Sequence, residues 1–169
     1  MSRNKSSNIL AYAAGVIDGE GSISISHSYT KSKGHSYREY RLCVNVTNTN
    51  ELLVHWFQFQ FGGTTGKYKR LHLVPNAKDC YKWTIGSKAA RNFLELIIPY
   101  LIIKRPQAEL AMLFQGRKVY GGKGRGKRKP EQAWIQEEAD RILMSTMNKK
   151  GSDDGNRNET SNTLETSPF

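Results

Sequence analysis

The sequence predicts an α+β fold of order αββαββα: a four-stranded antiparallel sheet with helices on one face and additional C-terminal helices. Three observations lead there. Apolar residues begin at helical spacing and then switch twice to a period of two. The alternating segments come in pairs joined by polar loops, as hairpins do. Each is apolar on one side only, the pattern of a sheet that is buried on one face and solvated on the other.

Ser7 or Asn8 can cap a first helix through Ile9, Leu10, Tyr12, Val16 and Ile17, apolar almost all round, which ends where Gly19 and Gly21 appear. From there Ser22, Ser24, Ser26 and Ser28 share one face of a strand, and Ile23 and Ile25 the other. A loop over 29–37 leads to a second run, in which Tyr40, Leu42, Val44 and Val46 oppose Glu39, Arg41, Cys43 and Asn45. Asn48 and Asn50 precede a helix over 51–61, rich in Leu52, Leu53, Trp56 and Phe57 and stopped by Gly62 and Gly63.

The second hairpin is expected over 66–74 and 81–85, burying Tyr81, Trp83 and Ile85 while Lys82 and Thr84 face away; Pro75 and Asn76 mark its loop. Ser87 is placed to cap a third helix, which runs to about Ile98 and breaks at Pro99. Another starts near Pro106, a residue suited to a first helical turn. In a last helix after Pro130, the stripe Ile135, Ala139, Ile142, Leu143 and Thr146 is expected to pack on the core.

A chain of 169 residues, 37% hydrophobic, suits one well-buried core rather than two, so residues 1–150 are read as a single domain. Residues 151–169 are polar, with too little apolar surface to offset the entropy of ordering, and are expected to be flexible. The net charge of +11 understates the rest, because that tail carries Asp153, Asp154, Glu159 and Glu165 against Arg157 alone. Without it 25 basic residues face 11 acidic ones, an excess of +14 that points to a nucleic acid as partner. No apolar run reaches membrane-spanning length and the polar start lacks a secretory apolar stretch, so a soluble, intracellular protein without membrane contact is expected. Cys43 and Cys80 suggest neither a disulfide framework nor a zinc site, and His27, His35, His55 and His72 have no metal-cluster or triad spacing.

The segment Ala13-Ala14-Gly15-Val16-Ile17-Asp18-Gly19-Glu20-Gly21 carries the chemistry. Ala11, Ala14 and Gly15 are small residues on a helix, which let two helix backbones approach closely. Asp18 and Glu20 fall at the helix C-terminus, where the macrodipole disfavours negative charge and a divalent cation would relieve it. A hard cation such as Mg²⁺ takes one or two carboxylates plus phosphate oxygens and water, which suits phosphodiester hydrolysis.

These nine residues, continued by Ser22-Ile23, strongly resemble the signature of the LAGLIDADG homing endonucleases, single-motif homodimeric type; the resemblance spans about residues 8–147. It implies Glu20 and Gly19 as metal-binding residues and Ala11, Ala14, Gly15 and Asp18 at a dimer interface. Glu20 stands where the family most often has Asp. Pro99-Tyr100-Leu101-Ile102-Ile103-Lys104-Arg105-Pro106-Gln107-Ala108 resembles the segment bearing an active-site lysine, here Lys104. Val46-Thr47-Asn48 resembles the site of a water-organising residue, often Gln, here the shorter Asn48. A further basic residue that some relatives carry just beyond has no match, since Leu52 and Leu53 occupy the neighbourhood.

In that family the polar sheet face enters the major groove, which here would offer Ser24, Ser26, Ser28, Arg41, Asn45, Lys82 and Thr84 to the bases. Lys31, Lys33, Lys67, Lys69 and Arg70 lie in hairpin turns or the third strand and are expected to contact DNA. The run holding Lys123, Arg125 and Lys127 is spaced by glycines and suits a phosphate backbone. Gly121, Gly126 and Lys127 fit the spacing of a nucleotide-binding phosphate loop, but Arg128 replaces the required Ser or Thr and no strand precedes it.

The resemblance implies a site-specific double-strand DNA endonuclease, dependent on Mg²⁺ with Mn²⁺ as a substitute and with Ca²⁺ binding without cleavage. It would act as a homodimer on a long pseudo-palindromic site and serve intron homing, in an organelle (chloroplast or mitochondrion) or a prokaryotic cytoplasm. The alternative on the same scaffold is an intron RNA maturase or a non-catalytic DNA-binding protein.

Overall fold

The computed structural model describes residues 6–32, 35–68, 79–118 and 129–149. Helix α1 (Ser7–Glu20) runs directly into strand β1 (Gly21–Ser32), which pairs with β2 (His35–Asn48); α2 (Glu51–Phe61) leads to β3 (Thr64–Tyr68) and β4 (Cys80–Gly86). Then come α3 (Ser87–Ile97), a short 3-10 turn (Ile98–Tyr100), α4 (Arg105–Arg117) and α5 (Glu131–Asn148). The antiparallel sheet has the order β1-β2-β4-β3, so α2 crosses over and leaves β1 and β3 as edges.

Register fixes which residues meet. Ile23 pairs with Val44, and Val44 with Ile85, while Val46 pairs with Trp83. These side chains are buried beneath the helices, against Ala13, Ala14 and Ile17 of α1, Phe57 of α2, Phe93 and Leu94 of α3, and Ala111 and Phe114 of α4. Trp83 lies 4.8 Å from the ring of Phe57 and 5.3 Å from that of Phe93, and its indole N–H donates to the Gly62 carbonyl at 2.7 Å. The opposite face carries the alternate residues, Ser, Thr, Asn, Arg and Lys.

Several boundaries differ from expectation. The first hairpin extends through most of the expected 29–37 loop, pairing Tyr29 with Arg38 and Ser32 with His35. His27, Ser28 and Tyr29 are all exposed, so no alternation of apolar and polar residues marks the continuation of β1. Strand β3 begins two residues early at Thr64, and residues 69–78 lie outside the described residues. Asn50 caps α2 as expected, accepting from the Leu52 N–H at 2.9 Å, but Gly86 rather than Ser87 precedes α3, and Ser87 has a positive φ of 54°.

The largest correction concerns α5. Its apolar stripe faces outward: Ile135 is 63% exposed, and Ile142, Leu143 and Thr146 are exposed too. The inward side holds Met144, Glu137 and Asp140, all buried. Cations on α4 and just before α5 meet the buried carboxylates. Asp140 takes two bonds from Arg117 at 2.9 and 2.8 Å, and Glu137 pairs with Lys129. Burying these carboxylates requires such partners, since a buried charge left unpaired is strongly destabilising.

Glu138 completes the seam. It accepts two bonds from Arg141 at 2.8 Å and lies 3.6 Å from Arg38, and the Arg141 bonds above all hold its carboxyl down at about 2, from 4.5. With its folded value depressed, this contribution is complete above the unfolded value and is lost as pH falls from about 4.5 toward 2. Glu138→Gln should therefore lower the melting temperature near neutral pH, with a deficit relative to the parent that shrinks below about pH 4.5. Thermal melts followed by circular dichroism check this; an equal deficit at both ends of the range would count against it.

Candidate metal and nucleic-acid site

Helix α1 ends at the sheet without a loop, because Gly21 is both its C-cap and the first residue of β1. The Gly21 N–H bonds back to Ile17 and Val16, and a Cβ at this position would stand 2.7 Å from the Ile17 Cα, so the tight junction needs glycine. Glu20 is exposed at this junction. The next residue, Gly21, pairs with Val46, and beyond it Thr47 of β2 pairs with Lys82 of β4.

Lys104 arrives from the far side of the chain. Its Nζ donates to the carbonyls of Ile17 at 2.9 Å and Asp18 at 2.6 Å, on the last turn of α1. That places an ammonium on the helix end where carbonyls concentrate negative potential, and where Glu20 adds a carboxylate. Asp18 turns away from Glu20: its Oδ2 accepts the Ile102 N–H and its Oδ1 the Lys104 N–H, each at 2.8 Å. Asn48, at the end of β2, accepts the Asn50 N–H with Oδ1 at 2.8 Å, which leaves Nδ2 as the group it can offer.

The polar face is ordered in cross-strand rows. Ser22, Asn45, Thr84 and Thr64 form one, Ser24, Cys43 and Gly86 the next. Thr84 donates to Asn45 Oδ1 at 2.8 Å, Ser24 to the Cys43 carbonyl at 3.5 Å and Ser26 to the Arg41 carbonyl at 3.3 Å. Thr64, Gly66, Lys82 and Thr84 line a shallow depression between β3 and β4. Arg41, Lys82 and Ser28 are exposed.

This backbone matches solved homing endonucleases. The homing endonuclease I-CvuI, in complex with uncleaved I-CreI target in the presence of Mg, superposes with a TM-score of 0.66 at 17% identity over 86% of this chain and 85% of that one. The archaeal intron-encoded homing endonuclease I-Vdi141I, complexed with DNA, gives 0.64 at 17% identity over 87% and 88%. The LAGLIDADG homing endonuclease I-LtrWI, bound to target DNA, gives 0.59 at 20% identity over 86% of this chain but 47% of its own, so the chain spans about half its length. The chain has the LAGLIDADG homing endonuclease fold. No family model matches it, and no curated protein does.

On the LAGLIDADG fold the remaining expected residues fall as follows. Ala11, Gly15 and Gly19 are exposed along one side of α1, whereas Ala14 is fully buried in the chain's own core. Lys67 shares the strand parity of Thr65, whose hydroxyl bonds to Gln58 of α2, so by alternation it lies on the helix side, where it pairs with Asp79 at 2.6 Å. Lys31 sits in β1 opposite Ser36. Lys33, Lys69, Arg70, Lys123, Arg125 and Lys127 lie outside the described residues. Thr47, Thr64 and Gly66 belong to the polar face and were not among the expected contacts; strand parity carried forward from Asn45 identifies Thr47, Gly66 has no side chain to draw attention, and the early start of β3 hid Thr64.

The donor set fits a shared hard cation rather than an enclosed one. Among the described residues no group of three or more His, Cys, Asp or Glu could hold a metal ion. Asp18 has both oxygens engaged, so this LAGLIDADG end offers the Glu20 carboxylate and the Gly19 carbonyl. One carboxylate with phosphate oxygens and water is the environment Mg²⁺ accepts.

Proposed function

We propose that this chain is a site-specific double-strand DNA endonuclease, hydrolysing phosphodiester bonds with a divalent metal as a homodimer on a long pseudo-palindromic site. The observation that carries this reading is the convergence of the exposed Glu20 carboxylate and the Lys104 ammonium on one helix end, at the border of a polar sheet face. A divalent cation bound there would supply water activation and charge neutralisation at the leaving oxygen. Glu20 and the Gly19 carbonyl hold that cation, Lys104 opposes the charge that builds on the phosphate, and Asn48 offers Nδ2 to orient water. Ser24, Ser26, Ser28, Arg41, Asn45, Lys82 and Thr84 read the duplex from the groove.

The second copy is supported by α1. Glycine within a helix costs roughly 0.5–1 kcal/mol relative to alanine. A Cβ at Gly15 or Gly19 would meet nothing within 4 Å, so packing inside this chain does not require glycine at either position. A second α1 laid along Ala11, Gly15 and Gly19 does, because small residues let helix axes close together. Exposed apolar groups flank that stripe: Tyr12 packs edge-on against Trp56 of α2, and Leu52 and Phe59 on the Trp56 side of α2 are 78% and 79% exposed. The dimer brings two Glu20 carboxylates to one pair of strands, and I-CvuI and I-Vdi141I, named as homing endonucleases with DNA, lend the same direction.

Selecting from a randomised duplex library in Ca²⁺ and transferring the winners to Mg²⁺ tests the reading. A long site of two-fold related halves, bound in Ca²⁺ and cut on both strands in Mg²⁺ or Mn²⁺, is expected. Specific capture of an intron RNA with no duplex cut would replace it with the maturase alternative, and binding without cutting would leave a DNA-binding protein.

A further inference from the structure

We infer that Asp18 is a positioning residue for Lys104, fixing the lysine's main chain so that its ammonium holds a set distance from Glu20; this rests on the nuclease reading. Residues 102–104 form an irregular bend between the 3-10 turn and α4. Packing does little to hold the bend, since Ile102 and Ile103 are 85% and 69% exposed. Its anchors are the two charge-assisted bonds from the Ile102 and Lys104 N–H groups to the two oxygens of Asp18, both 2.8 Å. The lysine tip then returns to the same helix turn, to the carbonyls of Ile17 and Asp18.

The arrangement is reciprocal. A carboxylate on the last turn of a helix is opposed by the macrodipole, and the Lys104 ammonium on the adjacent carbonyls compensates it. Asp18 has the shape the task needs, because both oxygens accept and neither needs to donate. Asparagine could keep one bond but would set its NH₂ against the other N–H. Moving a group by about 1 Å from its working position can cost on the order of 100-fold in rate. Asp18 touches no reacting atom; it acts through the lysine.

Asp18→Asn should lower kcat about 10- to 100-fold, while duplex affinity in Ca²⁺ stays within about twofold. The double variant Asp18→Asn/Lys104→Met should be no slower than Lys104→Met, because the two act as one unit. Asp18→Glu, with its charge retained but its oxygens displaced, should be impaired as well. Independently of cleavage, the backbone amide resonances of Ile102 and Lys104 should move in Asp18→Asn while those of β2 and β4 remain, which also shows that the variant is folded. Additive losses in the double variant, full activity of Asp18→Glu, unmoved amides, or a variant that weakens dimerisation with kcat intact would overturn the assignment. If the parent chain cuts no duplex, the nuclease reading fails, and the amide shifts still report whether Asp18 holds the bend.

Discussion

Glu20→Gln should bind the selected duplex as tightly as the parent, or slightly more tightly, and cut it on the order of a thousandfold more slowly, a barrier increase of about 4 kcal/mol at 1.36 kcal/mol per tenfold. The substitution conserves volume at an exposed position, so folding is not at stake. It removes the anionic oxygen on which the proposed cation site depends, and Asp18 is already committed to the Ile102 and Lys104 amides. Removing a negative charge from a surface proposed to face phosphate also removes repulsion, which sets the sign of the expected affinity change. Parallel cleavage in Mg²⁺ and binding in Ca²⁺ separate the two effects. Cleavage within tenfold of the parent would show that the metal is held elsewhere.

Gly63→Ala should destabilise the fold by about 2–5 kcal/mol, the sum of a positive-φ cost of roughly 1–2 kcal/mol and an overpacking cost of roughly 1–3 kcal/mol. Gly62 and Gly63 turn the chain out of α2 with φ of 75° and 86°. A Cβ on Gly63 would fall 2.5 Å from the Thr84 carbonyl and 2.9 Å from the Trp83 indole nitrogen. Neither can yield: Trp83 is fully buried among Phe57 and Phe93, and Thr84 is in a ladder with Asn45 and Thr64. Gly62 is the control, since at φ 75° and ψ −153° a Cβ there meets nothing within 4 Å and only a backbone cost of roughly 1–3 kcal/mol applies. Urea denaturation midpoints of the two variants check this, and equal losses would show that the contact with β4 is not felt.

Much of this was legible in the residues. Period-two runs with serines on one side and isoleucines or valines on the other give the strands and their faces, since register is fixed wherever one face is buried. The motif from Ala13 to Gly21 nominates Glu20 and the lysine segment nominates Lys104, and the structure brings both to the last turn of α1. What stayed hidden depends on partners distant in sequence. The stripe on α5 reads as core-facing because periodicity ranks apolar residues without seeing the arginines that Glu138 and Asp140 meet. Ala14 and Gly15 look equivalent as small residues, yet one faces the core and the other solvent, a matter of where α1 rolls on the sheet. The motif separates Asp18 from Glu20, but what Asp18 bonds to is visible only in the bend that reaches it from residues 102–104.

That bend also sets an order of events during synthesis. The four strands are complete at Gly86, whereas Lys104 leaves the ribosome later and can be fastened only once Asp18, made long before, is in place to receive it. A nascent chain therefore has all four strands of the polar face before it has the lysine that the bend carries to the first helix. The clamp between the first helix and the approach to the fourth joins residues 84 and 86 positions apart, so it can close only after most of the chain has been made.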